Sequence, residues 1–132
     1  MSSFLRPILR STSGQFVIRN LRNDRALAHD IVAAFDSKTR KTGLLRHTSF
    51  PEGSAMLIAP SNAVHTFFMR FPIDIAFVTR EGKVVKTYDS VRPWRIAAAF
   101  RAYAVIELPA GTLRRGETVA GDILSIVPAE QV

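Results

Sequence analysis

The run His65-Thr66-Phe67-Phe68-Met69-Arg70-Phe71-Pro72-Ile73-Asp74 sets an imidazole, a guanidinium and a carboxylate among large apolar side chains. An ionisable group in such surroundings must be paired or must face a cavity, because burying a lone charge costs far more than packing returns. Arg70 has the planar fork that grips a carboxylate or phosphate in two places. The alternative is an internal pair with Asp74, Glu107 or Asp122 that does no more than hold the strands in register. His65, with an unperturbed pKa of about 6.5, can serve as a general base when a carboxylate orients it. Asp74 and Glu107 are the carboxylates on offer, and a hydrolase-like site would use His65 with one of them. Trp94 and Arg95 stand beside Pro93 in a loop, where a large aromatic is either a binding surface or a lid on the core.

Other chemistries find less support. Ser54, Ser61 and Ser90 are possible nucleophiles, but the G-x-S-x-G elbow is absent. The three imidazoles, His29, His47 and His65, show neither H-x-x-x-H nor H-E-x-x-H spacing, so no metal site is assigned. Neither a G-x-G-x-x-G turn nor a G-x-x-x-x-G-K-[ST] loop occurs, and no cofactor is expected.

The elements that must position these residues are mostly short strands. Gln15 to Arg19 is a β-rich run, followed by Asn23-Asp24 turn chemistry and the run Ala26 to Phe35, read here as its hairpin partner. Asp36 or Ser37 can cap a helix over residues 38–45. Residues 55–59 read as a buried strand, and Val64 to Phe71, apolar on both faces, as a central strand bent at Pro72. Ile73 to Thr79 and Val84 to Tyr88 flank an Arg80-Glu81-Gly82-Lys83 hairpin turn. Ile96 to Phe100 is a small apolar patch, Tyr103 to Leu108 a strong strand, residues 111–116 a helical turn, and Ile123 to Val127 the last strand. The fold expected is mainly β (α+β): a small antiparallel β-barrel or sandwich of seven or eight strands with one or two short helices.

At 132 residues the chain suits a single domain, with residues 1–14 as a flexible N-terminal arm. Its 47% apolar and 22% charged content belongs to a globular protein. With no cysteine, it has no disulfide, thiolate nucleophile or thiolate-held metal. No apolar run is long enough for a signal peptide or a membrane span, so the chain as written reads as cytoplasmic. The net charge of +7 is concentrated in residues 1–50, where nine Lys/Arg face three Asp/Glu. The basic segment 38–46, with Arg40, Lys41 and Arg46, is therefore a candidate for nucleic acid, though a solvated basic face is the simpler reading.

Several of these stretches occur together in a known order: Gly43-Leu44-Leu45-Arg46, Met56-Leu57-Ile58, the run 65–74, Gly82, Pro93-Trp94, Val105 to Gly111, and Gly121-Asp122. In this the segment 42–127 resembles the domain-of-unknown-function-192 family. Many relatives carry Arg before the first Gly, where this chain has Thr42; a basic site would then draw on Arg40, Lys41 or Arg46. The resemblance implies a small, mainly β fold and no established activity. Many relatives are exported, which this N-terminus does not suggest.

The reading preferred is a non-enzymatic binding or accessory module for a small polar or anionic ligand or a peptide. Its site would comprise His65, Arg70, Asp74, Trp94 and Arg95, with Glu107 and Asp122 as structural polar residues. The hydrolase reading and nucleic-acid binding through 38–46 stand behind it.

Overall fold

The computed structural model describes residues 3–10, 15–35 and 49–129. Strands β1 (Phe16–Asn20) and β2 (Arg25–Ala28) form an antiparallel hairpin, and β10 (Leu124–Pro128) pairs with the other edge of β1. A second sheet has five strands in the order β3 (Asp30–Ala34), β4 (Ser54–Ile58), β9 (Ala104–Pro109), β6 (Ile73–Val78) and β7 (Val84–Val91). A two-stranded ribbon joins β5 (Ala63–His65) to β8 (Ile96–Ala98). Two short helices, α1 (Arg6–Arg10) and α2 (Thr112–Arg115), complete the described elements.

The mainly β class with two short helices agrees with the sequence, but the sheets do not close into a barrel. The run 26–35 is two strands rather than one. It leaves the hairpin at His29 and enters the second sheet as β3, parallel to β4, which departs from the antiparallel expectation. Residues 3–10 are not a free arm: Phe4 and Leu5 are buried in the core, and the Phe4 amide donates to the Arg80 carbonyl at 3.0 Å. The helix expected over 38–45 and the basic segment 38–46 lie outside the described residues.

The largest correction concerns 64–71. Its regular strand is only β5, and the central strands of the molecule are β4, β9 and β6, with β6 and β9 buried along their whole length. After His65 the chain turns: the Met69 amide donates to the Thr66 carbonyl at 3.2 Å, and Phe68 adopts a left-handed φ of 67°. A run with apolar residues at both odd and even positions lacks the alternation that distinguishes a strand from a folded loop packing its side chains both ways. Here Met69 points into the core while Phe68 remains exposed.

The five-stranded sheet has two apolar faces, because successive strand side chains point to opposite sides. Leu57, Ala76, Val78, Ile106 and Leu108 pack toward Ile18, Leu27 and Ile126 of the first sheet and Leu113 of α2. Met56, Ile58, Ile75, Phe77 and Val105 pack toward Val64, Met69 and Ala97 beneath the β5–β8 ribbon. Each fully buried side chain such as Phe77 or Ile75 contributes about 1.5–3 kcal/mol.

Candidate functional site

Asp74 and Glu107 sit one register step apart on neighbouring strands: Asp74 pairs with Leu108, and Ile75 with Glu107. That single step places the two carboxylates on opposite faces of the sheet. Asp74 shares a face with Leu108 and Ala76, and Glu107 with Ile75 and Met56. No one site can use both.

The Asp74 carboxylate is fully engaged by backbone. It accepts from the amides of Ser90 at 2.8 Å, Gly111 at 3.1 Å and Leu113 at 2.9 Å. It thus caps the free amides at the start of α2, a task that no local side chain performs. Gly111, at φ 95°, turns the chain so that its N–H and that of Leu113 converge on one carboxylate oxygen. This geometry makes Asp74 an anchor of the β9–α2 junction, bonded to backbone amides and not to His65.

Glu107 is only 4% exposed and, among the described residues, makes no hydrogen bond or ion pair. Burial alone pushes its carboxyl up to about 7. The cation expected for it is not Arg70, which is exposed and unpaired among the described residues. Asp122 is taken instead by Arg22, whose Nε donates to it at 2.7 Å. Asn20 and the Val119 amide add hydrogen bonds, both at 2.9 Å. The Arg22 hydrogen bond is the main reason its carboxyl falls to about 2. The expected internal pairs of Arg70 with Asp74, Glu107 or Asp122 are therefore not formed.

His65 ends β5 with its side chain exposed. Its Nδ1 accepts from the Phe67 amide at 3.3 Å, and its ring lies 4.9 Å from that of Phe67. Among the described residues no carboxylate bonds to it, and the dyad expected with Asp74 or Glu107 is not formed.

Thr66 brings the remaining candidates together. Its hydroxyl donates to the Arg92 carbonyl at 2.7 Å and accepts from the Arg95 amide at 2.9 Å. Its own amide donates to the Arg95 carbonyl at 2.8 Å, and its carbonyl accepts from the Trp94 amide at 3.0 Å. This one buried residue therefore clamps the 66–70 turn to the 92–95 loop. The clamp sets the Trp94 ring 5.7 Å from Phe67, stacked, and 4.6 Å from Phe68, edge-on.

Phe68 and Trp94 both hold left-handed backbones, with φ of 67° and 68°, and are 68% and 55% exposed. Bulky side chains rarely adopt that conformation, and when they do the surrounding structure must impose it. Thr66 is that imposition. Ile96 on the ribbon is 71% exposed and Phe100, in the turn after it, 94%, so exposed apolar side chains continue beyond Trp94. Arg70, Arg92, Arg95 and Arg101 are exposed around it, with no carboxylate in ion-pair range among the described residues. Sequence reasoning named Trp94, Arg70 and Arg95 but missed Phe68, Ile96, Phe100 and the clamp. Thr66 lay in plain view as the small polar residue inside the aromatic run, and only the contacts it makes reveal its role.

Elsewhere, a cleft of about 600 Å³ lies between β2 and α2, lined by Arg25, His29, Glu52, Thr112 and Arg115 among others. Its arginines are already engaged, Arg25 with Glu117 at 2.7 Å and Arg115 with Glu52 at 3.5 Å. Among the described residues no three His, Asp or Glu cluster as metal ligands would. Nor is any described helix long and apolar enough to cross a membrane.

The model of the DUF192 family, described as "uncharacterized ACR", matches residues 18–126. A crystal structure from Sinorhizobium meliloti 1021, described as a "putative transcription regulator", superposes with a TM-score of 0.73 at 20% identity, covering 84% of this chain and 91% of that one. A protein of unknown function from Novosphingobium aromaticivorans DSM 12444 superposes with a TM-score of 0.67 at 19% identity, covering 84% and 83%. At such identities the likeness is one of fold. No curated protein sequence matches the chain.

Proposed function

The chain belongs to the DUF192 family, which carries a fold and no assigned reaction, and we propose from the chain's own surface that it is a non-enzymatic binding module for anionic partners. The binding surface is the tip made by the 66–70 turn and the 92–101 segment. Trp94 and Phe68 supply apolar contact, and Arg70 and Arg95 engage carboxylate or phosphate groups. The observation that carries this reading is the pair of exposed aromatics held in left-handed backbone beside arginines that no carboxylate pairs among the described residues, the Arg95 guanidinium donating only to the Pro93 and Trp94 carbonyls at 3.5 and 3.3 Å. Strain of this kind persists where it pre-organises a contact. Arginine left without a carboxylate keeps its fork available to an incoming anion.

Trp94 is the chain's one tryptophan, so its fluorescence reports on this tip alone. Titration with inorganic phosphate, polyphosphate and an acidic peptide is expected to change that emission for at least one of them, with affinity falling as salt rises. Replacing Arg70 and Arg95 together by Gln should abolish the response. Undiminished binding in that variant would place the site elsewhere, and silence toward every anion would end the reading.

A further inference from the structure

We infer that the anionic partner of this tip is a lipid surface: the loops at 66–70 and 92–101 dock the protein on the interface of an anionic bilayer. The inference rests on the anion-binding reading above and names the partner class.

Shape comes first. The outward residues of the β8 strand, Ile96 and Ala98, lie between Trp94 at one end and Phe100 at the other. Trp94 lies in the bend before that strand and Phe100 in the turn after it, so with Ile96 they leave three large apolar side chains exposed within seven residues, and Phe68 packs against Trp94. Exposed apolar side chains of this kind enter the boundary between headgroups and acyl chains, where Trp is enriched.

Charge comes second. Residues 59–72 and 91–103, which build the tip, contain Arg70, Arg92, Arg95 and Arg101 and no Asp or Glu. Basic residues flanking apolar ones match an anionic headgroup layer above a hydrocarbon layer, since each side chain meets its own medium.

The aromatic geometry argues against single-stranded nucleic acid, the other partner that pairs phosphates with apolar contact. Base stacking needs open ring faces, whereas Trp94 already stacks on Phe67 and makes a T-shaped contact with Phe68, which leaves Phe100 as the tip's one almost fully exposed ring. Ile96 offers no ring at all. The attachment inferred is to the surface, through exposed side chains of two loops whose backbones Thr66 ties together.

The full chain should be mixed with vesicles of phosphatidylcholine alone and of phosphatidylcholine with phosphatidylglycerol, and followed by Trp94 emission and by co-sedimentation. We expect a blue shift and co-sedimentation with the anionic vesicles, reversed by high salt and near absent with neutral ones. Phe100→Ser, at a side chain that touches almost nothing, should fold normally and bind about tenfold more weakly. Replacing Arg92 and Arg101 by Gln should weaken binding about 30-fold, from roughly one kcal/mol per Arg at a charged membrane surface. Equal binding to neutral vesicles, or full binding by either variant, would overturn the inference. Binding to single-stranded oligonucleotide without vesicle binding would also overturn it while leaving the anion-binding reading intact. Failure with vesicles, oligonucleotide, phosphate and acidic peptide alike would overturn both. Sedimentation velocity showing a stable dimer with Trp94 shielded from quencher would assign the patch to a second copy and likewise overturn it.

Discussion

Glu107 interrupts an otherwise apolar strand, and its environment makes it a titration probe. An acid whose folded pKa is raised above its unfolded value destabilises the fold once the unfolded chain ionises and the folded chain cannot follow. Stability should therefore fall as pH rises from the unfolded value of 4.5 to the folded value of about 7, and then level off. Glu107→Gln is expected to flatten that slope and to gain up to about 3 kcal/mol above neutrality. Urea midpoints measured across this pH range will check it, and an unchanged slope would mean that the carboxyl is ionised in the folded state. Thr66 is the second informative residue. Thr66→Val keeps the shape but leaves the Arg92 carbonyl and the Arg95 amide without their shared hydroxyl, at a cost of about 1–3 kcal/mol. Trp94 emission should shift at the same time, because the stacking on Phe67 depends on that clamp.

At the scale of elements, α2 is too short to sustain itself; isolated helices below about 12 residues are marginal in water. It is held by the Asp74 carboxylate, which satisfies the Gly111 and Leu113 amides while also fixing Ser90 of β7. Asp74→Ala is expected to cost about 2–4 kcal/mol, since it strands three amides at a buried junction. Hydrogen exchange should show that loss at Leu113 and Ser90 while the Trp94 tip binds as before. If the tip loses binding too, Asp74 reaches further than its contacts indicate. The site-forming loops differ in kind from α2. The 66–70 turn and the 92–95 loop have little regular structure of their own, and their order comes from backbone bonds to a single threonine.

At the scale of the molecule, the Asp122 network ties the first sheet to the chain that returns before β10. Asn20 in β1 donates to Thr118 and Asp122, and Arg22 reaches Asp122 and the Glu117 carbonyl. Asp122 has a lowered folded pKa, so its contribution is present above the unfolded value of 3.8 and is lost as pH falls toward about 2. Asp122→Asn should lower stability near neutrality by about 1–3 kcal/mol and blunt the acid transition, as read by circular dichroism across an acid titration. Equal acid sensitivity in wild type and variant would assign that transition to other carboxylates.

Much of the strand inventory was legible in the chain itself. Val105-Ile106-Glu107-Leu108, the Gly82 hairpin and the Pro128 stop carry their own signals in apolar content, turn glycine and a missing amide donor. The special status of 65–74 was legible too, because charges among aromatics cannot be placed at random. What the sequence could not decide was pairing. The parallel entry of β3, the opposition of Asp74 and Glu107 across one sheet, and the freedom of Arg70 all depend on which strands become neighbours and in what register. A shift of one residue sends a side chain to the other face, and hydrophobicity cannot mark that shift where both faces are apolar. Composition and order thus determined that this chain builds a small β-rich domain with a charged aromatic motif. Only the tertiary structure turned that motif from a buried central strand into an exposed, clamped tip.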